Sequence, residues 1–66
     1  MKMFQATFNG DQFAFTEVNE ISEEMKYWWG TMPKFETKSG YVLVYYEKGV
    51  GIDMDELWMQ CQQHFE

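Results

Sequence analysis

The sequence predicts a small α+β domain in which a hairpin and a helix follow one another twice, β-β-α-β-β-α. Three observations predict it. Apolar and polar residues alternate on both sides of Asn9-Gly10. They alternate again around Ser39-Gly40, as half-buried strands do. Apolar residues recur at helical spacing between Ile21 and Met32 and between Met54 and Phe65. The compact arrangement is a two-layer sandwich, a four-stranded, mostly antiparallel sheet with two helices on one face. Residues 1–66 make one domain.

The first hairpin is built around Asn9-Gly10, because both central positions of a type I′ turn need positive φ. A two-residue loop sets Phe8 opposite Asp11, Ala6 opposite Phe13, Phe4 opposite Phe15 and Lys2 opposite Glu17, all on one face. A longer loop, Asn9 to Gln12, keeps that face and changes the partners. Asn19 then serves as N-cap for a helix whose stripe is Ile21, Met25, Trp28, Trp29 and Met32. Gly30 closes that helix and Pro33 bars its continuation. Adjacent helix positions lie about 100° apart, so only one of Trp28 and Trp29 reaches the core.

Lys34 to Lys38 and Tyr41 to Glu47 form the second pair of strands. With a Ser39-Gly40 loop, Phe35 opposes Val44 and Thr37 opposes Val42. Tyr41, Leu43 and Tyr45 then point to the other face. Asp53-Met54-Asp55-Glu56 reads as a capping box ahead of the last helix, whose apolar side is Met54, Leu57, Trp58, Cys61 and Phe65. The expected core is Phe4, Phe8, Phe13, Phe15, Ile21, Met25, one of the two adjacent tryptophans, Phe35, Val42, Val44, Leu57, Trp58, Cys61 and Phe65.

A domain this small hides only about 60% of its unfolded surface. The single Cys61 excludes an internal disulfide, and one cysteine with one histidine falls short of a zinc site. Aromatic bulk and association with another molecule remain as sources of stability. The net charge of −6 disfavours direct contact with nucleic acid or an anionic membrane and suits a basic protein partner. The opening Met1-Lys2-Met3-Phe4-Gln5 has no apolar run of the signal-peptide kind. With an unpaired thiol, the cytoplasm is the expected compartment.

Surface chemistry is where function is expected. Glu17, Glu20, Glu23 and Glu24 fall within eight residues, with Asp53, Asp55 and Glu56 as a second group. Both groups lie at helix starts, where negative charge complements the backbone dipole. Glu20 and Glu24, however, repel one another across one helical turn. Six Phe, four Tyr and three Trp exceed what two helices and four short strands can bury. Tyr27 lies off its helix stripe, and Tyr41 and Tyr45 lie on the uncovered sheet face. Exposed rings of this kind typify interfaces.

Catalytic signals are weak. Cys61 and His64 can touch along one helix, but Cys61 belongs to an apolar stripe, where a thiol is inert. Asp53-Met54-Asp55-Glu56 lacks the glycine of a calcium loop. Lys48-Gly49-Val50-Gly51 is too short to cradle phosphate. Lys34 and Lys38 beside Tyr41 and Tyr45 suggest base stacking, which the acidity opposes.

No enzymatic role, cofactor or metal is expected. In size, charge and aromatic richness the chain resembles the small acidic proteins with which phages and mobile elements block host nucleases and polymerases. That resemblance implies a stoichiometric, nucleic-acid-mimicking inhibitor acting in the host cytoplasm. The expected contact set is Glu17, Glu20, Glu23, Glu24, Tyr27, Trp28, Asp53, Asp55 and Glu56, with Tyr41 and Tyr45 as a second patch. The alternative is an assembly protein that dimerises through Tyr41, Leu43 and Tyr45.

Overall fold

The computed structural model describes residues 1–66. The domain is α+β, with a mixed open sheet and two helices. Its strands are β1 (Lys2–Phe8), β2 (Phe13–Glu17), β3 (Trp29–Thr31), β4 (Phe35–Thr37) and β5 (Gly40–Glu47). The helices are α1 (Glu23–Trp28) and α2 (Met54–Phe65). Neither is long and apolar enough to cross a membrane.

Five strands stand where the sequence predicts four. They run in the order β2-β1-β5-β3, with β4 also on β5. β3 pairs with the end of β5 (Gly30 opposite Tyr46), and β4 pairs with its start (Phe35 opposite Val42). The register advances by one residue between them, as an inserted residue produces. Met32 still donates its N–H to the Val44 carbonyl at 3.0 Å. Pro33, which has no N–H, follows at once. One long edge strand is thus broken in two by a bulge. The bulge turns Met32 and Phe35, three residues apart, to the same side, and both are buried.

Both hairpins keep their expected faces and shift their partners. The first adopts the longer loop, with Phe8 opposite Phe13 and Ala6 opposite Phe15. The Asn9 side-chain carbonyl accepts the N–H groups of Asp11 (3.1 Å) and Gln12 (2.8 Å), and Gly10 takes φ +98°. An asparagine that organises its own loop wins over the two-residue turn. In the second hairpin the turn is Lys38-Ser39, so Phe35 meets Val42 rather than Val44.

α2 covers one face. Leu57 and Cys61 pack into a cluster with Ala6, Phe13, Met32, Phe35, Val42 and Val44. Phe65 stacks on Phe4 with centroids 4.8 Å apart, and Trp58 meets Phe35 edge-on at 4.8 Å. The Asp53 carboxylate caps the helix, accepting from Asp55 N–H (3.0 Å) and Glu56 N–H (3.3 Å). The second half of the expected capping box is replaced. Glu56 accepts from Gln60 instead, at 2.8 Å. Phe8 and Trp58, both expected in the core, remain partly exposed at its rim.

α1 departs furthest from expectation. Its cap is Ser22, whose Oγ accepts the Met25 N–H at 3.1 Å, and Asn19 lies upstream in an irregular stretch. The helix ends at Trp28, and Gly30 is strand, not helix terminus. Partners on β5 draw Trp29 to Thr31 into extended backbone.

β1 and β5 are parallel neighbours, so the chain from β2 must pass both to reach β3 at the far edge. α2 occupies one face, and a right-handed crossover takes Val18–Trp28 over the other. Tyr45, on that second face, is only 6% exposed. The two helices therefore lie on opposite faces, a correction to the one-sided sandwich.

Two substitutions test this frame. A Cβ on Gly30 would stand 2.8 Å from the Tyr46 ring. Gly30→Val is expected to cost about 1–3 kcal/mol, by overpacking, in urea unfolding followed by circular dichroism. Gly10→Val is expected to cost about 1–3 kcal/mol by backbone strain alone, because nothing lies within 4 Å of its Cβ. An unchanged midpoint for Gly10→Val would contradict the positive-φ loop.

Candidate protein-contact surface

The crossover presents the chain's most accessible rings. Tyr27 is 73% and Trp28 58% exposed, and their rings meet edge-to-face with centroids 5.1 Å apart. No residue of α1 is fully buried. Ile21, Met25 and Trp29 are half-buried on the sheet side. Of the two adjacent tryptophans, Trp29 is thus the packed one and Trp28 the free one. The reason lies in the backbone. Trp29 already belongs to β3, opposite Glu47, where alternation turns it to the same face as Tyr45.

Glu17, Glu20, Glu23 and Glu24 are all exposed on or before this segment. The single ion pair of the chain, Lys26 to Glu23 at 3.3 Å, joins side chains 61% and 92% exposed. A pair so open to water holds its charges weakly, so the carboxylates remain available. Two rings and two acids, Glu23 and Glu24, share one short element that contributes little to the core.

The second acidic group lies elsewhere. Asp53, Asp55 and Glu56 begin α2, beside Phe8 at the end of β1. Glu17 stands opposite Phe4, near the start of β1. The fold therefore splits the expected acidic set, and Glu17, on the α2 face with Phe4, stands apart from Glu20, Glu23 and Glu24. Asp53 is engaged in capping and Glu56 with Gln60, whereas the α1 acids have no such internal use beyond the Lys26 contact.

The expected tyrosine patch is not open. Tyr45 lies under the crossover, with its hydroxyl donating to Met3 Sδ at 3.8 Å. Leu43 is half-buried. Tyr41 stays exposed, with Lys34 Nζ 4.7 Å above its ring centroid. One cation-covered ring is left where base stacking would need a platform.

Cys61 and His64 have separate surroundings. The Cys61 thiol is fully buried, 4.0 Å from Met32 Sδ. Burial pushes it up to about 11. His64 packs tilted against Phe15 at 4.8 Å and meets Phe65 edge-to-face at 4.7 Å. No three His, Cys, Asp or Glu side chains cluster as metal ligands.

Sequence reasoning missed the polar side of α2. Glu56, Met59, Gln60, Gln63 and His64 line a groove of about 440 Å³ against β2. Their i, i+3, i+4, i+7, i+8 spacing was the available signal.

The buried thiol gives a direct check. At pH 8, Cys61 is expected to react with an aromatic disulfide reagent at least 100-fold more slowly in the folded protein than in 6 M guanidinium. Equal rates would place the sulfur outside the core. No family model, curated protein or solved structure matches this chain.

Proposed function

We propose that this protein is a stoichiometric inhibitor that docks its α1 crossover on a basic surface of a nucleic-acid-handling protein. The action is physical. Glu20, Glu23 and Glu24 stand in for phosphates and steer encounter, whereas Glu17, which shares the α2 face with Phe4, lies outside this surface. Tyr27 and Trp28 then supply the desolvated anchors that slow release. What supports the reading most is one juxtaposition. The exposed Tyr27–Trp28 pair adjoins free carboxylates on a helix that buries no residue of its own. The net charge of −6 fits the same partner class. Such a protein works where unpaired thiols persist, in the cytoplasm, in the manner of phage and mobile-element proteins directed at host enzymes.

Dimerisation through Tyr41, Leu43 and Tyr45 has less support, since Tyr45 is spent inside the domain.

The test begins with retrieval of the partner from the source cell on the immobilised protein, at low and high salt. Against that partner, Glu20→Lys, Glu23→Lys and Glu24→Lys together are expected to weaken binding at least 100-fold, chiefly through association, and to flatten its salt dependence. Trp28→Ala is expected to accelerate dissociation at least 10-fold with little change in association. Both variants should retain the wild-type circular dichroism. Unchanged affinity and salt response in the triple variant would refute the α1 surface.

A further inference from the structure

The open side of the sheet is β2. Nothing pairs with its outer edge. Antiparallel alternation decides which backbone groups face outward. The Val18 N–H donates inward to the Met3 carbonyl at 2.9 Å, so Thr16 and Ala14 also point to β1. Phe13, Phe15 and Glu17 point outward. The first of these is taken, since the Phe13 N–H donates to Gln60 Oε1 at 2.7 Å. Phe15 and Glu17 keep their outward N–H and C=O groups without a protein partner. The opposite edge differs, because the bulge at Pro33 breaks it.

A groove of about 440 Å³ runs along this edge, between β2 and the polar side of α2. Phe13 and Phe15 form one wall, and Glu56, Gln60 and Gln63 stand on the other. Asp11 lies at one end, and Glu17 closes the other end of the strand. No lysine or arginine lines the groove. An unpaired strand beside a helix offers two things to an extended chain. Backbone groups supply a ladder, and the facing helix supplies side-chain contacts. The glutamine carboxamides add donors and acceptors without a fixed charge, and the acids at the ends set the sign.

The geometry points to a strand-addition site: an extended, Lys/Arg-bearing peptide segment of a partner protein pairs with Phe15 and Glu17 in the groove between β2 and α2. Gln60 closes the edge above Phe13 and so fixes where pairing begins. The segment's alternate side chains face Phe15 and the α2 glutamines, and its cations meet Asp11, Glu17 and Glu56. A second copy of this chain is a poorer occupant, because it brings another six negative charges to an acidic edge. The site is separate from the α1 surface and does not rest on it.

The test uses the full chain labelled with nitrogen-15. The probe is an end-blocked heptapeptide of alternating lysine and valine. Saturation is expected to shift the Phe15 and Glu17 amide resonances and to slow their hydrogen exchange at least 10-fold. The same peptide N-methylated at every amide keeps its charge and cannot form the ladder, and it is expected to give no such protection. Asp11→Lys with Glu17→Lys, both exposed side chains, is expected to weaken the unmodified peptide at least 10-fold. The α1 triple reversal leaves its binding in place. Three results would overturn the site. One is equal protection by the methylated peptide. Another is binding lost in the α1 variant and kept in the edge variant. The third is Phe15 and Glu17 already protected without peptide, with a mass that doubles on concentration, since the edge would then belong to a second copy.

Discussion

The parallel pairing of β1 with β5 is the constraint on which the rest of this domain depends. Parallel neighbours cannot be joined by a tight turn. Here the intervening chain forms a hairpin arm on one side, β2, and a broken edge strand on the other. The link between those two has to cross the sheet. β5 is thereby paired on both edges and covered on both faces. Val42 and Val44 face α2, and Tyr45 faces the crossover. In 66 residues without a disulfide, one strand buried from four directions supplies cohesion that the small core would otherwise lack.

That crossover creates the candidate contact surface. Covering Tyr45 takes only part of Val18–Trp28, and its half-buried members are Val18, Ile21 and Met25. Six residues of helix are far too few to be stable alone. α1 is held by its ends instead. Ser22 caps one end, and the other runs directly into β3, with Lys48 N–H donating to the Trp28 carbonyl at 2.9 Å. The outward side chains are positioned by backbone anchors rather than by their own burial. Glu23, Glu24, Tyr27 and Trp28 are therefore free to vary with a partner while the sheet stays unchanged.

Local chemistry made much of the fold legible in the sequence. α2, its Asp53 cap, both hairpins and their buried faces follow from alternation, helical spacing and turn residues. Registers were less secure, because Asn9 and Thr37 organise their loops through their own side chains. The α1 boundaries failed where tertiary pairing overrode local pattern. Trp29 and Met32 fit a helical stripe and Gly30 fits its C-terminus, yet each gains a strand neighbour on β5. The candidate surface divides in the same way. Tyr27 and the four acids before it could be read as exposed from spacing alone. Tyr45 could not be read as buried, since its cover comes from a segment some twenty residues away. Nor could the groove between β2 and α2, which exists only once strand order is known.

The parallel alignment itself is open to direct observation by nuclear Overhauser contacts between β1 and β5. Parallel registry places Met3 beside Leu43 and Gln5 beside Tyr45, with contacts also between the Tyr45 ring and the Met3 methyl. The account predicts inter-strand amide and α-proton cross-peaks that advance together along both strands. Cross-peaks that advance along one strand while retreating along the other would contradict it, and with it the crossover and the surface the crossover carries.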